Sequence, residues 1–113
     1  MSKIAILGAA ESGVGAAVLA LKKGYDVFVS DMGLIKEHYK DILNAHGIEW
    51  EEGRHTASRI LDAEEIIKSP GIPDNAPMVA EAIAKGIHVI NEIEFAARYT
   101  NAKMICITGS NGK

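Results

Sequence analysis

Short apolar runs recur along the chain with longer stretches of helical period between them, and that alternation narrows the possible folds more than any other feature. The runs are Ile4-Ala5-Ile6-Leu7, Val27-Phe28-Val29, Ile48-Glu49-Trp50, Glu65-Ile66-Ile67, Ile87-His88-Val89-Ile90 and Met104-Ile105-Cys106-Ile107. A strand buried on both faces reads as a nearly continuous apolar run, and strands joined through helical crossovers lie parallel. The pattern predicts an α/β fold: a parallel sheet of about five strands flanked by helices, in a single domain. Residues 1–100 are expected to form that domain, and 101–113 a connection into a further unit.

The intervening segments carry helix stop and start signals. A first helix is expected from near Ser12 to Gly24, whose lack of a side chain suits the left-handed conformation after a helix end. A second, with Leu34, Ile35, Tyr39, Ile42 and Leu43 on one face, should end before Gly47. A third should open around Asp74 or Asn75 with Pro77 in its first turn and stop at Gly86. Asn91, three residues before Glu94, predicts a relative of the capping box at the start of a fourth. The stretch from Glu52 to Leu61 carries no clear pattern.

Composition excludes several function classes. The 113 residues carry 12 basic and 15 acidic side chains for a formal charge of -3, with no basic stripe to neutralise nucleic acid and no polybasic patch for a membrane. Neither partner is expected. A lone cysteine, Cys106, rules out an intrachain disulfide and reads as a small core residue in a reducing, cytoplasmic setting. No stretch approaches the ~18 apolar residues of a membrane span. His38, His46, His55 and His88 lack metal-ligand spacing and are expected to be solvated or packed.

Three segments emerge at the carboxyl ends of expected strands, where open parallel sheets bind ligands. The first, Gly8-Ala9-Ala10-Glu11-Ser12-Gly13-Val14-Gly15, is a tight turn into a helix start, the usual Rossmann-like seat for a diphosphate. Its second expected glycine is Ala10. Ser12 suits either a helix N-cap or a phosphate contact. Asp31 stands 18 residues past Gly13, near the spacing at which an acid reads a ribose, although it would serve equally as a helix cap. Ser69-Pro70-Gly71-Ile72-Pro73 predicts a type II turn with positive φ at Gly71, aiming Ser69 toward the same crevice. A fourth segment, Ile107-Thr108-Gly109-Ser110-Asn111-Gly112-Lys113, has the turn and Gly-Lys of a phosphate loop without its first glycine. The chain is expected to be the front part of a longer nucleotide-using enzyme.

Together with Asn91-Glu92-Ile93-Glu94, these segments resemble, in order and spacing, the Mur ligases of peptidoglycan synthesis. The resemblance implies three domains, of which this chain is similar to the first, which holds the UDP-linked substrate. It implies diphosphate contacts at Glu11, Ser12 and Gly13, uridine contacts at Asp31 and Met32, and sugar-diphosphate contacts at Ser69, Pro70 and Gly71. It also implies ATP contacts at Gly109, Ser110, Asn111, Gly112 and Lys113. Met32 stands where some members offer a hydroxyl, so uracil contacts there are expected through the backbone. Within the family, the Ser69 turn and Asn111 favour the branch that joins UDP-N-acetylmuramoyl-L-alanine to D-glutamate over the branch that adds L-alanine, which usually shows histidine at Asn111. ATP and Mg²⁺ are implied for the whole enzyme, with metal and amino-acid sites in the other domains. Residues 1–113 alone are expected to be catalytically inactive. Two other readings are a nicotinamide-dependent dehydrogenase domain, which leaves Gly112-Lys113 unexplained, and a regulatory nucleotide-sensing module.

Overall fold

Buried apolar residues alternate between the two faces of a sheet, and helices cover both. The computed structural model describes residues 2–73 and 75–99. In chain order the elements are β1 (Lys3–Leu7), α1 (Glu11–Lys22), β2 (Asp26–Asp31), α2 (Glu37–Ala45), β3 (Glu49–Glu52), α3 (Ala57–Ile60), β4 (Glu65–Lys68), α4 (Pro77–Ala84), β5 (His88–Asn91) and α5 (Glu92–Arg98). All strand pairs are parallel, in the order β3-β2-β1-β4-β5. The order reverses between β1 and β4, which makes their carboxyl ends the switch point of the sheet.

Side-chain alternation divides the core in two. Ile4, Ile6, Val27, Val29, Ile67 and Ile90 face α1, α2 and α5, where they meet Val14, Ala17, Leu43 and Phe95. Ala5, Leu7, Phe28 and Ile66 face α3 and α4, against Ile60, Val79 and Ala82. Small residues at Ala16, Ala17 and Ala20 let α1 lie close to the sheet, and all three are buried. Tyr25, Tyr39, Trp50 and Tyr99 pack partly buried on the first cluster.

Helix ends follow the expected signals closely. Gly24 has φ +94°, Gly24 N–H donates to Leu21 O (3.0 Å) and Tyr25 N–H to Ala20 O (3.1 Å), a complete Schellman closure. The same pair of bonds ends α2 at Gly47 and α4 at Gly86. At α5 the capping box is formed in full: Asn91 Oδ1 accepts from Glu94 N–H (2.8 Å) and Glu94 Oε1 from Asn91 N–H (3.0 Å).

Two helix starts differ from expectation, and a third starts near Ser12 as expected but without a serine cap. α1 begins at Glu11 with Ala10 as N-cap, because Val14 N–H already bonds back to Ala10 O (2.9 Å); Ser12 lies inside the first turn and caps nothing. α2 begins only at Glu37, so Leu34 and Ile35 precede it. Ile35 is buried, while Leu34 is 84% exposed. α4 begins at Pro77 rather than at 74 or 75, since a turn closed by Ala76 N–H to Pro73 O (3.1 Å) occupies Asn75. The patternless stretch after Glu52 holds the single-turn α3. The expected strand at Met104 to Ile107, and Cys106 within it, lie outside the described residues. No helix among the described residues is long and apolar enough to cross a membrane.

The edge at β4 and β5 is tied to α5 by charge. Arg98 forks onto Glu65, Nη1 to Oε1 at 2.9 Å and Nη2 to Oε2 at 2.8 Å, and His88 Nδ1 lies 2.9 Å from Oε2. The Arg98 hydrogen bonds outweigh burial and hold the Glu65 carboxyl below its ordinary value. The unfolded chain therefore takes up this proton first as pH falls, so the stability from the pair is complete above about pH 4.5 and is lost below it. Glu65→Gln is expected to flatten the acid limb of the stability–pH curve, measured by urea unfolding between neutral pH and pH 3. An unchanged acid limb in that variant sinks the assignment.

Candidate functional site

The carboxyl ends of β1, β2 and β4 are knitted into one edge by backbone bonds. Gly8 takes φ +103°, which turns the chain sharply out of β1 and lets its N–H reach Ser30 O (2.9 Å). Ser69 N–H returns from the end of β4 to Leu7 O (3.1 Å). Ala9 N–H donates to Asp31 Oδ2 (2.8 Å), and Gly33 N–H to Asp31 Oδ1 (2.8 Å). Asp31 thus pins the glycine turn and the bend after β2, and does not cap α2, whose N-cap is Lys36.

Gly13 explains how α1 can start so close to that turn. A Cβ placed there would stand 2.0 Å from Gly8 O, so only glycine lets the helix start abut the turn. Glu11 and Ser12 are exposed at the helix start. The amides ahead of Val14 have no intrahelical carbonyl to reach, and they carry the positive end of the helix dipole.

The turn after β4 differs from the expected type. Ile72 N–H bonds to Ser69 O (2.9 Å), closing a turn over Pro70 and Gly71, but Gly71 does not take positive φ, so the turn is not type II. Proline at the second position suits type I and type II alike, and glycine permits both, so packing decides. Here Ser69 is held against Leu7 and Ser69 Cβ lies 3.2 Å from where a Gly8 Cβ would be.

A cleft of about 500 Å³ opens along this edge. Gly8 and Asp31 line it from the strand ends, Met32 and Ile72 from the adjacent loops, Met78 from α4, and Arg54 and His55 from the loop after β3. Its walls are chiefly apolar. Of the residues expected at the site, Asp31 and Met32 line the cleft, with Met32 61% exposed; Glu11, Ser12, Gly13, Ser69, Pro70 and Gly71 are not among its lining residues, although Gly8 and Ile72, which belong to the same two segments, are. Gly109 to Lys113 lie outside the described residues.

His55, which lines the cleft, belongs to a polar network that no sequence motif marks. Ser30 is fully buried, and its Oγ lies 2.8 Å from Glu51 Oε2, 3.0 Å from Arg54 O and 2.7 Å from His55 Nδ1. Glu51 also accepts from Thr56 N–H (2.7 Å) and its hydroxyl, with Arg54 Nε at 3.4 Å. Burial works against the Glu51 anion, but the Thr56 and Ser30 hydrogen bonds and the Arg54 charge together hold its carboxyl below the ordinary value. Burial pushes the His55 imidazole down, against the opposing pull of Glu51 and Asp31, so the ring is neutral. Serine, histidine and an acid here do not make a hydrolase. The hydroxyl is sealed from solvent, and the carboxylate bonds the serine rather than the histidine. The available signal was Ser30 itself: in β2 it shares a face with Phe28, and a hydroxyl buried there needs partners.

The sequence matches the family model described as MurD N-terminal domain over residues 3–78. The chain is 65% identical over its whole length to a UDP-N-acetylmuramoylalanine--D-glutamate ligase of Bacteroides thetaiotaomicron, and 63% identical to one of Bacteroides fragilis, covering 26% of each. It thus spans about a quarter of the length of these curated relatives. Among solved structures, a pseudomurein peptide ligase type C from Methanothermus fervidus superposes with a TM-score of 0.72 at 28% identity, over 88% of this chain and 21% of that one. A family match across more than half of the chain, on a parallel sheet whose glycine turn, Asp31 and Ser69 turn share one edge, places the chain in the MurD N-terminal domain family.

Proposed function

We propose that this chain holds the UDP end of UDP-N-acetylmuramoyl-L-alanine for a ligase that joins that substrate to D-glutamate. The observation that carries the reading is that Gly8, Asp31 and Ile72, the last residue of the Ser69 turn, line one cleft at the switch point of the sheet, in a member of this family. In this reading the amides of Glu11, Ser12 and Gly13 meet the diphosphate at the positive end of α1. Asp31 and Met32 border the uridine, and Ser69, Pro70 and Gly71 face the sugar-diphosphate side. The apolar walls at Met32, Ile72 and Met78 suit the flat face of a base. Asp31 has spent one lone pair of each oxygen on the Ala9 and Gly33 amides and keeps others for a ligand donor.

The joining chemistry belongs to the whole enzyme. A free carboxylate is a poor electrophile, so transfer of a phosphoryl group from ATP to the L-alanine carboxylate supplies a leaving group, which the D-glutamate amine displaces to form the amide. In this reading Gly109 to Lys113 contribute to the ATP site. In this reading the Mg²⁺ and D-glutamate sites belong to the other domains of the whole enzyme. The chain by itself is proposed to bind without ligating; product formation by residues 1–113 sinks that part.

Titration of the chain with UDP-N-acetylmuramoyl-L-alanine, followed by amide NMR, is expected to shift Gly13, Asp31 and Ser69. NADH serves as the contrasting ligand. Shifts at those amides with NADH alone replace this reading with a dinucleotide-binding one.

A further inference from the structure

We infer that His55 is the specificity-determining residue of the cleft: its Nε2 lone pair accepts the N3–H of a uracil ring, an imide donor flanked by two carbonyls. The inference rests on the nucleotide reading of the cleft and deepens it.

It follows from counting protons around Ser30. One hydroxyl carries one proton, yet Ser30 Oγ stands within hydrogen-bond distance of three groups, Glu51 Oε2, Arg54 O and His55 Nδ1. The Arg54 carbonyl only accepts. Glu51, held ionised by Thr56, Ser30 and Arg54, also only accepts. The hydroxyl proton therefore goes to an oxygen, and the 2.7 Å contact to His55 closes only when Nδ1 carries a proton and donates to a lone pair of Ser30. The opposite tautomer draws the hydroxyl proton to Nδ1 and leaves a fully buried oxygen against two acceptors with no proton between them, which is costly where no water can enter.

A neutral imidazole protonated at Nδ1 carries its lone pair at Nε2. Nδ1 is tied back into the core by Ser30, so Nε2 lies on the far side of a ring that lines the cleft. Among the described residues no hydrogen bond reaches Nε2. The cleft thus offers an acceptor set among apolar walls, beside Asp31. Uracil presents a donor at N3, whereas cytosine presents a lone pair there and would oppose the Nε2 lone pair.

Protonation of His55 turns Nε2 into a donor and abolishes the preference. Burial lowers the pKa of the ring below the ordinary histidine value, against the opposing charges of Glu51 and Asp31; the Arg54 guanidinium, which lines the same cleft, is paired with Glu51. Uracil binding is expected to hold through neutral pH and to fail only below that value.

Calorimetric titration of the chain with UDP, N3-methyl-UDP and CDP tests the inference. UDP is expected to bind at least tenfold more tightly than either analogue. His55→Phe is expected to lose tenfold or more for UDP and to bind UDP and N3-methyl-UDP alike. Long-range ¹H–¹⁵N spectra of the unliganded protein should show a protonated Nδ1 and a bare Nε2, with Nε2 shifting on UDP addition. The N3-methyl comparison needs no variant, so it stands even where His55→Phe fails to fold. Binding of UDP without discrimination against N3-methyl-UDP, or an Nε2-protonated ring, overturns the role of His55 and leaves the nucleotide reading in place. Absence of UDP binding to the wild-type chain overturns the nucleotide reading and the inference with it.

Discussion

Gly13→Ala is expected to cost about 3 kcal/mol or more of folding stability, a large share of the ~5–15 kcal/mol of a typical domain. The added methyl would lie 2.0 Å from Gly8 O and 3.0 Å from Gly8 C, both backbone atoms, and 3.3 Å from a carboxylate oxygen of the buried Glu92. A side chain could swing aside, but the Gly8 turn is fixed by its bond to Ser30 O and by Asp31 through Ala9. α1 must therefore lift from the sheet edge. Alanine's better helix propensity returns at most ~1 kcal/mol, too little to offset the clash. Gly15, two residues on in the same helix, is the control, since a Cβ there meets nothing within 4 Å. Gly15→Ala should stabilise by ~0.5–1 kcal/mol. Equilibrium denaturation of both variants decides the matter; Gly13→Ala within ~0.5 kcal/mol of wild type, the range of a harmless surface change, contradicts the packing account.

Asp31→Ala is expected to destabilise the domain by ~1–3 kcal/mol and to loosen the glycine turn. The cost comes from Ala9, which is buried, so that its N–H loses its acceptor with no water to replace it. Gly33 is exposed, and water can take over there. Asp31→Asn should fall between, because an amide offers one carbonyl to two N–H groups and turns its own NH₂ toward the other. Hydrogen exchange at the Ala9 amide reads the effect directly and should accelerate in both variants. Because the same carboxylate borders the cleft, the nucleotide affinity proposed above should also fall about tenfold in Asp31→Ala, for a loss of ~1.4 kcal/mol. Unchanged Ala9 exchange would show that Asp31 does not hold the turn.

Apolar periodicity reports burial before it reports helix, and the start of α2 shows the difference. Ile35 continues the helical spacing of Tyr39 and Leu43 and is buried with Leu43, yet its backbone is loop, held by its N–H to Glu52 Oε1 (2.9 Å). Leu34, one step earlier, is left in solvent. The helix stops at Gly24, Gly47 and Gly86 were legible because the Schellman closure is local and needs only the residues within six of one another. The Asn91–Glu94 box was legible for the same reason. The Ser69 turn type was not, since Pro70-Gly71 allows two turns and no residue in the pair requires one of them.

The same division runs through the site. The sequence by itself determined the order of the five strands and four of the helices, the glycine stops after α1, α2 and α4, and the three segments that reach the carboxyl edge, because each depends on neighbours in the chain or on period alone. Only the tertiary structure decided that Asp31 would hold the Ala9 amide 22 residues away, and that Ser30 would meet Glu51, Arg54 and His55 across β2 and β3. Those bonds are set by the register of parallel strands, which aligns Ser30 with Glu51 and Leu7 with Ser30. Parallel register is a long-range property, fixed by packing on both faces of the sheet, and no local pattern records it.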